Sequence, residues 1–110
     1  MMIVQVNYTR PAMPKADWEA RYTDDRAKQF LSVPGLQWKI WLDGEVDRRA
    51  GGIYLFDSRA SAEAYVNGPI VARMKANPDI TDLQVRIFDV RERMTAITNG
   101  PVPGLAMAAE

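Results

Sequence analysis

The chain has 110 residues, 47% of them apolar and 25% charged, with 14 lysines and arginines against 14 aspartates and glutamates. That balance fits one soluble domain over residues 1–110, with a core over about 2–90 and a tail over 91–110, and it supplies no field to draw in nucleic acid or an anionic membrane. The chain contains neither cysteine nor histidine, which excludes disulfides, thiolate chemistry, the commonest general base and the usual metal and haem ligands.

The opening MMIVQVNYTR alternates as a strand, with Met2, Val4, Val6 and Tyr8 on one face and Ile3, Gln5 and Asn7 on the other. It lacks the basic start and unbroken apolar stretch of a signal peptide, and no later run is long enough to span a bilayer. A cytoplasmic location is therefore expected. Pro11 and Pro14 break the strand, and residues 15–32 read as a helix with Trp18 and Tyr22 one turn apart. Asp24 and Asp25 in its middle mark a kink, and Pro34-Gly35 ends it.

A second strand over 36–42, a polar turn over 43–49 and a third strand over 52–56 make a hairpin. Glycines 51 and 52 suit a bulge or a close backbone approach. Asp57 or Ser58 caps a second helix, interrupted by Gly68-Pro69 and closed by Asn77-Pro78. A fourth strand follows over 83–90. The order βαββαβ predicts an α+β, ferredoxin-like fold, a four-stranded antiparallel sheet with two helices on one face. The tail, rich in glycine and proline near its end, carries no clear period and is expected to wrap over a partner or lie loose.

Two helices cover one sheet face, yet neither face suits water. Joining the strands by alternation puts Val4, Val6, Trp38, Ile40, Ile53, Leu55, Leu83, Val85 and Ile87 together. Gln5, Asn7, Lys39, Trp41, Tyr54, Phe56, Arg86 and Phe88 then share the other side. The aliphatic set predicts a homodimer with its sheets face to face, burying roughly 800 Å² per partner. Polar groups of the mixed set need a ligand, so a small-molecule cleft is expected under the helices, walled by Trp18, Tyr22, Trp41, Tyr65 and Phe88.

The segments PGLQWKIW, AGGIYLFDSRASAEAYV and VRIFDV resemble the YdhR-type mono-oxygenase family, small dimeric α+β barrel proteins related to the antibiotic-biosynthesis monooxygenases. The likeness runs over 33–90. It implies sheet-to-sheet dimers and cofactor-free oxygenation of an electron-rich aromatic or quinol-like substrate by O2. It also implies a strand asparagine and a helix aromatic in the site, which fall on Asn7 and Tyr65. Haem degradation in this superfamily uses a helix histidine that this chain does not have. On this reading Arg86, and after it Lys39, stabilises a substrate phenolate. Asn7 binds a quinol oxygen or peroxide, Tyr54 and Tyr65 relay protons, and Trp18 and Trp41 stack on the ring. Two other readings stand beside it: a non-catalytic carrier of a hydrophobic metabolite, and a muconolactone-isomerase-like enzyme.

Overall fold

The computed structural model describes residues 1–102. Four strands, β1 (Met2–Thr9), β2 (Leu36–Asp43), β3 (Arg49–Phe56) and β4 (Thr81–Asp89), form one antiparallel sheet in the order β2-β3-β1-β4. Two short α-helices and a 3-10 turn connect β1 to β2, and two α-helices connect β3 to β4. This is the expected ferredoxin-like α+β arrangement. No helix of the described residues is long and apolar enough to cross a membrane.

Local chemistry sets the helix ends. The stretch expected as one helix is broken into α1 (Lys15–Glu19), α2 (Asp24–Lys28) and a 3-10 turn (Gln29–Ser32). The break follows from Thr23, whose hydroxyl accepts from the Arg26 amide at 3.2 Å and so starts a new helix one turn after Trp18. Ser58 caps α3 (Arg59–Val66) in the same way, accepting from the Ser61 amide at 3.1 Å. Pro69 opens α4 (Pro69–Ala76) at a position where its missing N–H costs nothing.

The core lies between sheet and helices. Met2, Val4, Val6 and Tyr8 of β1 and Ala50, Tyr54 and Phe56 of β3 pack there against Trp18, Ala62, Tyr65 and Val71. Register corrects the expected faces. Val4 lies opposite Tyr54 in β3 and Ile87 in β4, and Tyr54 lies opposite Lys39 in β2. The helix-covered face thus joins the apolar side of β1 and β4 to the lysine-and-aromatic side of the β2–β3 hairpin. Asn7, Arg86 and Phe88 fall on the opposite, open face with Trp38, Ile40, Ile53 and Leu55. Alternation within each strand was sound, but the two strand pairs join in the other phase.

The end of the described chain also departs from expectation. Residues expected to be without period form a short helix, α5 (Glu92–Ile97). Beyond it the Trp38 indole donates to the Pro101 carbonyl at 2.9 Å, and Val102 is buried. Part of the open face is therefore covered by the chain itself, and Leu55, on that face, is only 1% exposed. The rest of the tail, 103–110, lies outside the described residues.

Candidate active site

A cavity of about 360 Å³ opens between the β2–β3 hairpin and helices α2 and α4. Lys39 reaches into it from β2. Its Nζ lies 3.3 Å from the centroid of Trp41, 3.6 Å from that of Phe30 and 4.8 Å from that of Tyr54. Three ring faces are favourable company for an ammonium, but none of the described hydrogen bonds or ion pairs involves this amine. Its pKa falls from 10.5 to about 7, through burial first and the positive charge of Arg26 second. At neutral pH this lysine is therefore divided between base and cation.

Gly52 makes room for the side chain. It sits on the same face, opposite Trp41, and a Cβ there would come within 2.9 Å of the Lys39 Cε and 3.1 Å of the Ile40 carbonyl oxygen. The neighbouring Gly51 is required by the backbone instead. Its φ is +151° and a Cβ would lie 1.8 Å from the Val6 carbonyl oxygen. Close approach, one of the two expected uses of this glycine pair, is what each residue provides.

An unbroken series of rings backs the cavity. Trp41 meets Phe30 edge-on at 5.4 Å and Tyr22 at 5.9 Å, and Tyr22 meets Trp18 at 5.8 Å. On the other side Phe30 contacts Tyr54 at 6.0 Å, and Tyr54 contacts Tyr65 at 5.0 Å. The Trp18 indole donates to the Tyr22 hydroxyl at 3.2 Å. The Tyr65 hydroxyl is buried and makes no hydrogen bond among the described residues, although it lies beside Tyr54. Burial pushes the phenol of Tyr54 well up from its ordinary value and raises that of Tyr65, and Tyr65 adds to the effect on Tyr54. Both remain neutral hydroxyls, able to donate but not to act as phenolates.

The structure thus brings Lys39, Trp41 and Tyr54 to the cavity wall. Tyr65 stands behind Tyr54 and faces a second, mainly apolar hollow between α3, α4 and the 3-10 turn. Tyr22 flanks Trp41, and Trp18 lies one ring deeper in the core, with the guanidinium groups of Arg10 and Arg21 5.9 and 5.3 Å from its ring centroid. Asn7, Arg86 and Phe88 are not brought to the cavity. They lie across the sheet, where the Asn7 side-chain Oδ1 accepts from the Gln5 Nε2 at 3.0 Å. Sequence reasoning missed Arg26 of α2 and Arg73 of α4, which line the cavity. A signal was available, because neither arginine has an acidic residue three or four positions away on its helix. Among the described residues no three acidic side chains gather where a metal ion could be held.

An antiparallel ferredoxin-like sheet with an aromatic cavity under its helices defines a small α+β protein. Residues 3–101 match the family described as putative mono-oxygenase ydhR, and the chain belongs to that family. It is similar in structure to a putative antibiotic biosynthesis monooxygenase from Deinococcus radiodurans, at 14% identity and a TM-score of 0.63, over 82% of this chain and 92% of that one. It is also similar to the heme-degrader MhuD from Mycobacterium tuberculosis with two hemes bound in its active site, at 26% identity and a TM-score of 0.58, over 81% and 95%. A protein of unknown function from Nitrosomonas europaea shares 19% identity at a TM-score of 0.59, over 82% and 88%. No curated protein matches the chain.

Proposed function

We propose that this protein is a cofactor-independent monooxygenase that oxidises an electron-rich aromatic or quinol-like molecule with O2, working as a homodimer joined through its open sheet faces. Family membership supports oxygenation. The observation that carries the chemistry is an amine titrating near pH 7, enclosed by Trp41, Phe30 and Tyr54 at the wall of a closed-backed cavity.

Ground-state oxygen reacts slowly with closed-shell molecules, and an activated anion is what overcomes this. Neutral Lys39 removes a proton from a phenol or from the acidic carbon of an anthrone, and the ammonium formed holds the resulting anion by charge. Aromatic walls exclude water and strengthen that attraction. The anion passes one electron to O2, the radical pair recombines as a peroxide, and loss of water leaves a quinone carbonyl. One oxygen atom enters the product and the other leaves as water. All four electrons come from the substrate, so no external reductant is needed. Trp41 and Phe30 hold the ring, and the Tyr54 hydroxyl is placed to donate to a substrate oxygen. Asn7 and Arg86 have no part in this reading, because they lie on the other side of the sheet.

Haem does not fit these residues. The chain has no histidine or cysteine, and all four tyrosines are pushed up from their ordinary pKa, chiefly by burial, which disfavours a tyrosinate ligand.

The test is oxygen uptake by purified protein with a panel of anthrones and quinols. Acceleration is expected, rising as pH passes 7. Lys39→Met is expected to lower kcat/KM by about 100-fold. A panel that is bound but never oxidised would make the protein a carrier, and turnover without oxygen would make it an isomerase.

A further inference from the structure

Three cations from three elements line the cavity: Arg26 from α2, Lys39 from β2 and Arg73 from α4. No aspartate or glutamate lines it, and none of the three takes part in an ion pair among the described residues. The chain as a whole carries as many acids as bases, so this is segregation rather than excess. Acids are spent elsewhere: Asp43 holds Arg10 at 2.7 Å, Glu45 holds Lys15 at 2.7 Å and Asp89 holds Arg59 at 3.2 Å. Arg26 lies over the rings of Tyr22 and Trp41, 5.4 and 6.0 Å from their centroids, and its fork also donates to the Arg21 carbonyl at 3.2 Å.

Like charges gathered beside apolar walls repel one another, and an anion relieves the repulsion. Guanidinium groups suit a planar carboxylate, which each can grip through two parallel N–H bonds. We propose that the cavity selects an aromatic acid, its ring packed against Trp41 and Phe30 and its carboxylate held among Arg26, Arg73 and Lys39. This rests on taking the cavity as the functional pocket, and it narrows the substrate from electron-rich aromatics in general to hydroxyaryl carboxylates.

The electrostatics add a linked signature. The titratable and charged groups that line the cavity with Lys39 are Tyr8 from β1, Tyr54 from β3, Arg26 from α2 and Arg73 from α4, with no carboxylate among them. Burial and Arg26 together lower its pKa to about 7. A bound carboxylate reverses the sign of the nearest charge and raises it again. Above pH 7, therefore, a bound aryl carboxylate draws a proton onto Lys39, from the ligand's own hydroxyl where it has one, which is the deprotonation that oxidation needs, and from solvent where it has none; binding the neutral analogue does not.

The experiment compares 2-naphthoate with 2-naphthamide, which have nearly the same shape, by titration calorimetry at pH 8 in two buffers of different ionisation heat and without oxygen. Naphthoate is expected to bind at least tenfold more tightly and to take up close to one proton per molecule bound. Arg73→Gln, on an exposed helix position, and Arg26→Gln are each expected to remove most of that preference, with folding checked by circular dichroism. Equal affinity for acid and amide, no binding of either, or a preference that survives both substitutions overturns the proposal. Because no turnover is required, the acid preference stands or falls separately from oxygenation. A protein that oxidises neutral quinols without preferring acids refutes this inference alone.

Discussion

An ammonium 3.3 Å from the centroid of Trp41 and 3.6 Å from that of Phe30 has lost much of its hydration, and no carboxylate among the described ion pairs replaces it. Unfolding returns that charge to water. Between pH 7 and 10.5, the folded and ordinary values of Lys39, the unfolded chain therefore binds more protons than the folded one. Its contribution to the unfolding free energy rises with pH across this window and is lowest below pH 7. The slope is bounded at about 1.4 kcal/mol per pH unit and reduced by the water that reaches the partly open side chain. Urea unfolding from pH 6.5 to 9.5 should show this rise, and Lys39→Met should flatten it. Gly52→Ala places a methyl 2.9 Å from the lysine stem. It is expected to push the amine toward solvent and return its pKa toward the ordinary lysine value, as read by amine modification rate against pH.

At the scale of elements, the β1–β3 pairing depends on one residue that has no side chain. Gly51 lies opposite Asn7, and a Cβ there would overlap the Val6 carbonyl oxygen on the adjoining strand. Neither backbone can move without breaking the ladder. Gly51→Ala is expected to cost about 2–3 kcal/mol, seen as a lower denaturant midpoint at unchanged slope. The elements themselves were legible from period-two runs, from the proline and glycine breaks at 11, 14, 34, 35, 68 and 69, and from the caps. Strand phase was not. Nothing in the residues of β2 says whether Lys39 or Ile40 shares a face with Val4, because register is set by pairing across β3. The clue available was β1, whose one side, Met2 to Tyr8, is wholly apolar and belongs beneath the helices. Lys39, Trp41 and Tyr54 therefore share one cavity as the sequence suggested, whereas Asn7, Arg86 and Phe88 lie across the sheet from it. The helix α5 escaped notice because six residues are too few to establish a helical period.

At the scale of the whole molecule, the described residues leave the second sheet face partly bare. Ile40 and Phe88 are 48% and 46% exposed on it, a wasteful arrangement for a chain that works alone. A second copy placed across this face would cover both, and would meet polar groups such as Gln5, Asn7 and Arg86 beside the aliphatic ones. Sedimentation at micromolar concentration is expected to give twice the chain mass, and Ile40→Glu to give a single subunit with its helices intact. A wild-type chain that sediments singly would remove the dimer and leave the cavity chemistry untouched.

The three tryptophans stand in three different surroundings. Trp18 is buried in the core, Trp41 is a wall of the cavity with Lys39 against its ring, and Trp38 is on the open face with its indole tied to Pro101. Replacing any two with phenylalanine leaves one intrinsic fluorophore, and each of the three resulting proteins reports a separate event. Emission from Trp41 is expected to follow the charge on the lysine and any ligand beside it, that from Trp38 any association across the open face, and that from Trp18 melting. The proposed ligand capture, the proposed pairing and unfolding would thus be told apart as separate optical signals without any added dye.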